Sequence, residues 1–400
     1  MSTRTMTGIL EWPARAEGRV RTLTETMTVA ESADDPFVPL AFGDEFPLRN
    51  GLEVTVEIGE KKPRRRRGRS KGPRTPRPVV DRFVAIEGME PQAYADRVAF
   101  EDLTSIDPEP RLTLEYPGCP PVCRLIDLFC PIGRGQRSLI VSPPKAGKTT
   151  LLKQITESIL KNHEDVHVIA LLVDERPEEV TDFKRTFSIT RPDDEWPHPW
   201  GKDRIRILAS SNDHDVERHI AISTLTLERC KRMVESGKHV VVLLDSLTRL
   251  GRAFNRSNKH ANSGRTMSGG IDSRAMEVPK QIFGAARNTE EGGSLTIIAT
   301  CLVDTGSQGD QVIFEEFKGT GNMELILDRK VAEKRLFPAM DLAGSGTRKE
   351  HLLLDERTLN TITALRRRML NMPPPQQVEQ LLAAMSRFET NAKLVGSASK

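Results

Sequence analysis

Three short groups of residues have the types and spacing to act on a phosphate ester. Residues 142–149, Ser-Pro-Pro-Lys-Ala-Gly-Lys-Thr, follow the apolar run Ser138–Val141 and precede the helical stretch Thr150–Ile155. Strand, loop and helix in that order form a phosphate-binding loop, where backbone N–H groups and the positive helix end converge on phosphate oxygens. Ser142 stands where such loops usually carry glycine, so the match rests on Gly147, Lys148, Thr149 and their context. Lys148 is expected at the β and γ oxygens and the Thr149 hydroxyl on Mg²⁺, with Ala146, Gly147 and Thr150 around the phosphates. The second group is Asp245, which ends the apolar strand Val240–Leu244. There it would hold Mg²⁺ directly or through water; capping the next helix is the competing reading. The third is Asp174-Glu175-Arg176-Pro177 at the end of Leu171–Val173. Hydrolysis needs a carboxylate to polarise water, and Glu175 is the candidate, with Asp174 and Arg176 orienting it; a charged helix cap is the alternative. Together the three groups imply ATP and Mg²⁺ as ligands.

Such groups need strands whose tips lie side by side. From residue 129 onward, apolar runs alternate with helical stretches: 139–141, 166–173, 205–209, 239–244 and 295–300. Continuous apolar runs of this kind are the mark of a buried parallel sheet. Residues 129–400 are therefore expected to form one α/β domain ending in helices. Upstream, 8–12, 18–23, 53–58 and 82–86 read as short strands separated by turns, which suggests a small all-β barrel over residues 1–95. The Pro-rich stretch 96–128 reads as a connector. No internal repeat is present.

The formal charge of +3 conceals an asymmetry: Lys61–Arg77 holds ten Lys or Arg and no acid. Lying between two barrel strands, this segment, with Arg64, Arg65, Arg66 and Arg67 at its centre, is expected to be a disordered hairpin loop flanking a nucleic-acid face. A solvated or localisation-type charge run is the bland alternative. Five cysteines, an odd number without metal-ligand spacing, and the lack of an apolar leader point to a reducing compartment, the cytoplasm. No run reaches the ~20 apolar residues of a membrane span.

Two glycine-rich segments, 256–270 and 316–322, lack any helical or strand pattern, yet carry Arg265 and Lys318. If they project into the pore of a ring, their cations and backbone amides suit a phosphodiester chain.

The strings VSPPKAGKTTLL, LLVDERPEEVTDF, LLDSLTRLGRAFN, FGAARNTEEGGSLTIIAT, EEFKGTGNMEL, AEKRLFPAMD and SGTRKE, in this order, resemble the bacterial transcription termination factor Rho family over about 120–350. The resemblance implies a RecA-type phosphate-loop ATPase domain preceded by an OB-like, cold-shock-like barrel, working as a homohexameric RNA-dependent ATPase and helicase. It implies that Lys145 also faces the phosphates, that Arg176 joins the nucleotide site, that Glu175 activates water, and that Phe337 packs on adenine. Arg348 would be the arginine finger given by a neighbouring subunit, with Arg335 close by, and Arg249 would couple nucleotide to RNA. The pore loops would bring Arg265, Thr266, Ser268 and Gly269, and Lys318, Gly319, Thr320 and Gly321, to single-stranded RNA. RNA polymerase elongation complexes and accessory elongation factors are the implied partners.

The barrel departs from that family. Where the family carries a Gly-Phe-Gly-Phe-like aromatic pair, this chain reads Glu17-Gly18-Arg19-Val20-Arg21, so electrostatic contacts from the polybasic segment are expected to replace stacking. Two other functions fit the same residues: a RecA-type ring motor on single-stranded DNA, and an RNA-binding factor with weak motor activity.

Overall fold

The structure is a computed structural model that describes residues 4–13, 16–23, 29–30, 34–61, 77–187 and 204–398. The chain divides into two compact units, residues 1–103 with 224–237, and residues 104–223 with 238–400. The first unit is thus longer than the expected barrel and takes in a later piece of chain, the C-terminal part of the helix Val216–Glu235.

In the first unit, β1 (Arg4–Glu11), β2 (Gly18–Leu23), β3 (Val29–Ala30), β4 (Phe37–Val38), β5 (Glu53–Lys61) and β6 (Arg77–Ile86) form one sheet. Its order, β1-β5-β6-β4-β2, closes on itself because β2 also pairs with β1, and β3 extends β2. The result is a five-stranded barrel of the OB-like kind. Alternation builds it: Val54 and Val56 of β5 are buried between half-exposed Glu53, Thr55 and Glu57, and they meet Leu10, Val20, Val80 and Phe83 inside. The β5–β6 hairpin is paired out to Lys61 and Arg77. Residues 62–76, which include Arg64, Arg65, Arg66 and Arg67, lie outside the described residues.

The second unit contains β7 (Ser105–Ile106), β8 (Arg137–Ser142), β9 (Val166–Glu175), β10 (Ile205–Ser211), β11 (His239–Asp245), β12 (Arg287–Thr289), β13 (Ser294–Leu302), β14 (Met323–Ile326) and β15 (Gly346–Thr347). The main order is β10-β9-β11-β13-β8-β14-β15, parallel as far as β14, with β15 antiparallel at the edge. All five expected runs are strands here. Helices Lys148–Asn162 and Pro177–Phe187 cover one face through Leu151, Leu152, Ile155, Val180 and Phe183. The expected connector 96–128 is not uniform: the units divide after Leu103, and Pro121–Phe129 is a helix with Val122, Leu125, Ile126 and Phe129 fully buried. Its prolines sit at the first turn, where a missing N–H leaves no bond unmade, so proline richness started a helix there. No helix among the described residues is long and apolar enough to cross a membrane.

Candidate functional site

The phosphate loop owes its shape to two left-handed residues. Lys145 has φ 65° and Gly147 has φ 88°, and Gly147 caps the helix that begins at Lys148. This turns the loop amides and the helix N-terminus toward one point above β8. Three parallel strands then deliver their tips to that point. Lys148 Nζ donates to Glu175 Oε1 at 3.0 Å and to Asp245 Oδ1. Asp245 Oδ1 also accepts from Thr300 Oγ1 at 2.7 Å, from the tip of β13. Glu175 is 2% exposed, its Oε2 lies 3.3 Å from Arg249 Nη2, and that oxygen has no hydrogen-bond partner. Burial first, then the nearby Asp245 charge, push the Glu175 carboxyl up to about 7 against the opposing pull of Lys148 and Arg249. Burial alone would lower the Lys148 ammonium; Asp245 and Glu175 outweigh it and raise it.

The structure therefore brings Lys148, Glu175 and Asp245 together. Thr149 Oγ1 adjoins them and donates to Glu179 Oε2 at 3.4 Å, a carboxylate whose place in the first turn of its helix beside Glu178 reads as an ordinary helix-start acid. Arg176 points outward, its Nη1 3.6 Å from Glu179 Oε1. Thr149 and Asp245 offer the hard oxygens that Mg²⁺ selects, and Glu175 Oε2, which accepts no hydrogen bond, has capacity to accept from a water.

Beside the loop lies a cavity of about 440 Å³ lined by Lys145, Ala146, Gly147, Thr150, Gln154 and Phe337. Phe337 is 48% exposed, a large ring held open over the loop. Arg335 lines a different cavity with Lys145, Arg329 and Glu333.

Arg348 is elsewhere. Thr347 of β15 aligns with Met323, and Met323 with Ser138 at the start of β8. Arg348 N donates to Asn322 O at 2.8 Å, and Asn322 N to Arg137 O at 3.0 Å. Arg348 thus emerges at the level of Arg137, five residues or roughly 16 Å along β8 from its phosphate-loop end. Arg348 lines a cavity with Asn322, Glu324 and Glu350, whereas Arg335 lines the one that includes Lys145.

The two glycine-rich segments are more ordered than their composition suggests. In the first, Met267 N donates to Ile271 O at 2.7 Å, Ser273 N to Arg265 O at 3.0 Å, and Ser263 N to Asp272 Oδ2 at 2.9 Å. Arg265, Thr266, Ser268 and Gly269 are displayed at this turn. Gly269, at φ 71°, lies so near the Gln308–Gly309 backbone that a Cβ would come within 2.6 Å of it. The second segment begins in the last turn of the helix Gln308–Phe317, and Arg348 Nη2 reaches Gly319 O at 3.4 Å; Lys318 and Gly319 are exposed, Thr320 half-buried and Gly321 buried.

On the barrel, a residue passed over in the sequence stands out. Phe37 of β4 lies 4.7 Å below the Arg19 guanidinium and 5.0 Å from that of Arg77, measured to the ring centroid. Arg19 is its partner across β2, and Phe37 pairs with Val79 of β6. An aromatic pair within one strand shows in the sequence; this ring comes from a neighbouring strand, and only the pairing of β4 with β2 brings it to Arg19. Arg21 is spent internally, paired with buried Asp35 at 2.9 Å and with Glu11.

The model of the ATP synthase alpha/beta family nucleotide-binding domain matches residues 123–347. Among curated relatives, the transcription termination factor Rho of Borreliella burgdorferi is 49% identical over 310 residues, covering 78% of this chain and 57% of that protein. The factor of the same name from Cereibacter sphaeroides is 47% identical over 322 residues, 80% of this chain and 72% of that one. That from Aquifex aeolicus is 47% identical over 316 residues, 78% and 69%. The chain belongs to the Rho family. It spans little more than half the length of the Borreliella relative. Among solved structures, an ATPase of a bacterial type III secretion system superposes with TM-score 0.55 at 20% identity, covering 73% of this chain and 86% of that one. Sheet order, phosphate loop and strand-tip acids are thus set in the RecA-type fold that the Rho family shares with such ATPases.

Proposed function

We propose that this chain is an RNA-dependent ATPase and helicase that, as a homohexameric ring, pulls on nascent RNA and terminates transcription. The observation that carries this reading is the convergence of Lys148, Glu175 and Asp245 in one chain while Arg348 is held at the far end of the same sheet. A site of that kind is complete only when a second copy brings its own Arg348, so turnover depends on the ring and on what lies inside it.

Within the site, Lys145 and Lys148 bind the phosphates, with Lys148 exchanging its carboxylate partners for phosphate oxygens. Mg²⁺, held by Thr149 and Asp245, would neutralise charge on the β and γ phosphates. Glu175 accepts the proton of the attacking water through Oε2, which faces Arg249 and accepts no hydrogen bond. Phe337 stacks on the base in the cavity beside the loop. Arg249, bonded to the Asp174 carbonyl and facing Glu175, lies in the first turn of the helix Leu247–Arg256 that leads into the first RNA-binding loop. Phe37, Arg19 and Arg77 form the barrel's RNA contact, and the polybasic segment adds salt-sensitive affinity. RNA polymerase elongation complexes and their accessory factors in the cytoplasm are the partners this activity needs.

The test is ATP hydrolysis with poly(C), poly(U), poly(A) and single-stranded DNA across a salt series. RNA is expected to stimulate turnover strongly and DNA weakly, with stimulation fading steeply as salt rises. Equal stimulation by DNA would overturn the RNA reading, and turnover indifferent to any nucleic acid would overturn the motor.

A further inference from the structure

Glu175 reaches the phosphate loop from the wrong side of its strand. In β9, Val166, Val168, Ala170 and Leu172 pack in one apolar cluster with Leu151, Leu152, Ile155 and Ile159 of the phosphate-loop helix. Ile169, Leu171 and Val173 are equally buried but stand outside that cluster, on the opposite face. Unbroken alternation would send Glu175 with the odd-numbered set, away from Lys148. Asp245 needs no such correction, since Val241 and Leu243 of β11 already belong to the phosphate-loop face.

The correction is one residue long. Ser210 of β10 pairs with Val173 and Ser211 pairs with Glu175, so Asp174 is an extra residue without a partner on β10. Its φ is 56°, in the left-handed region. A bulge resets alternation, so Glu175 takes the side a regular strand would give residue 174, and there it meets Lys148 at 3.0 Å. The bulge is gripped from several directions. Its carbonyl accepts from Arg249 Nη1, and Asn212 N donates to Glu175 O at 3.1 Å. Behind it lies buried His219, with Nε2 3.9 Å from Asp174 Oδ1 and Nδ1 2.7 Å from Ser210 Oγ.

We infer that Asp174 is a positioning residue whose left-handed bulge, not its carboxylate charge, turns Glu175 onto the phosphate-loop face of the sheet. Aspartate suits the place because Asp and Asn, among residues with a Cβ, enter the left-handed region most readily. The inference rests on the reading of Glu175 as the water activator.

Four substitutions separate conformation from charge. Asp174→Asn and Asp174→Gly keep access to positive φ and lose the charge; Asp174→Glu keeps the charge and disfavours positive φ; Asp174→Ala lacks both. RNA-stimulated kcat and KM for ATP are measured in the full chain, together with binding of a fluorescent ATP analogue and thermal melting. The Asn and Gly variants are expected within about threefold of the parent kcat, and the Ala and Glu variants roughly tenfold or more below it, with KM and analogue binding little changed. A Gly or Asn variant as slow as Ala, a Glu variant as fast as the parent, or an unaffected Ala variant would overturn the inference. Glu175→Ala is assayed alongside. If it turns over normally, the water-activator reading fails and takes this inference with it; if it is inactive while all four Asp174 variants are normal, the inference alone fails.

Discussion

The nucleotide site and the barrel face proposed to meet RNA are built by opposite means. In the first, the charged groups at the centre come from strand tips and a helix start and hold one another: Lys148 pairs with Glu175 and Asp245, and Asp245 accepts from Thr300. In the second, one ring lies among guanidiniums on an open surface, and most of the cations lie along the chain beyond β5. Chemistry on a phosphate anhydride requires groups fixed to fractions of an ångström, which only a packed sheet provides. Holding a flexible polyanion requires charge density and a few flat rings, which a barrel edge provides with little rigidity.

The largest effect is expected at the buried site. Glu175→Ala is expected to leave ATP-analogue binding intact and to lower hydrolysis by roughly two to four orders of magnitude. Near-normal turnover would mean that the convergence at Lys148 serves stability and not chemistry. The next effect concerns assembly. Mixing inactive Arg348→Ala protein with inactive Glu175→Ala protein is expected to restore part of the activity, because some interfaces then pair an intact arginine with an intact carboxylate. No recovery after verified subunit exchange would remove Arg348 from the neighbour's site.

At the open end, Phe37→Ala is expected to weaken RNA binding by roughly 5- to 150-fold, the worth of stacking one base at ~1–3 kcal/mol. ATP-analogue binding without RNA is expected to be unchanged; RNA affinity equal to the parent's would show that the arginines act without the ring. The mildest test is pH. Burial and Asp245 raise the Glu175 carboxyl to about 7, and a base must be ionised to act, so kcat/KM for ATP falls as pH drops through that value. The expected slope is about tenfold per pH unit on the acid side. A profile flat down to pH 5 would place an ordinary, solvated carboxylate in that role.

How far these two regions were legible follows from the range of the interactions that make them. Gly147, Lys148 and Thr149 could be read directly, because a phosphate loop is a local backbone shape flanked by its own strand and helix. Asp245 could be read as well, since it lies in step with the buried run before it. The five parallel strands and the barrel's four main strands declared themselves through their apolar patterns. The helix at Pro121–Phe129 was concealed by its prolines, which mark a loop and a helix start alike.

What the sequence by itself determined, then, was the set of elements and the groups that local geometry holds in place. The tertiary structure alone decided which side of β9 Glu175 faces, because an unpaired residue becomes a bulge only against the register of β10. It decided that Arg348 leaves the sheet at the end remote from the phosphate loop, because β15 runs antiparallel to β14. It also decided that Phe37 sits between Arg19 and Arg77, because β4 pairs with β2 on one side and β6 on the other. Each of these is a pairing between distant segments. Alternation along a strand fixes which residues share a face, but register with a neighbour fixes where that face points.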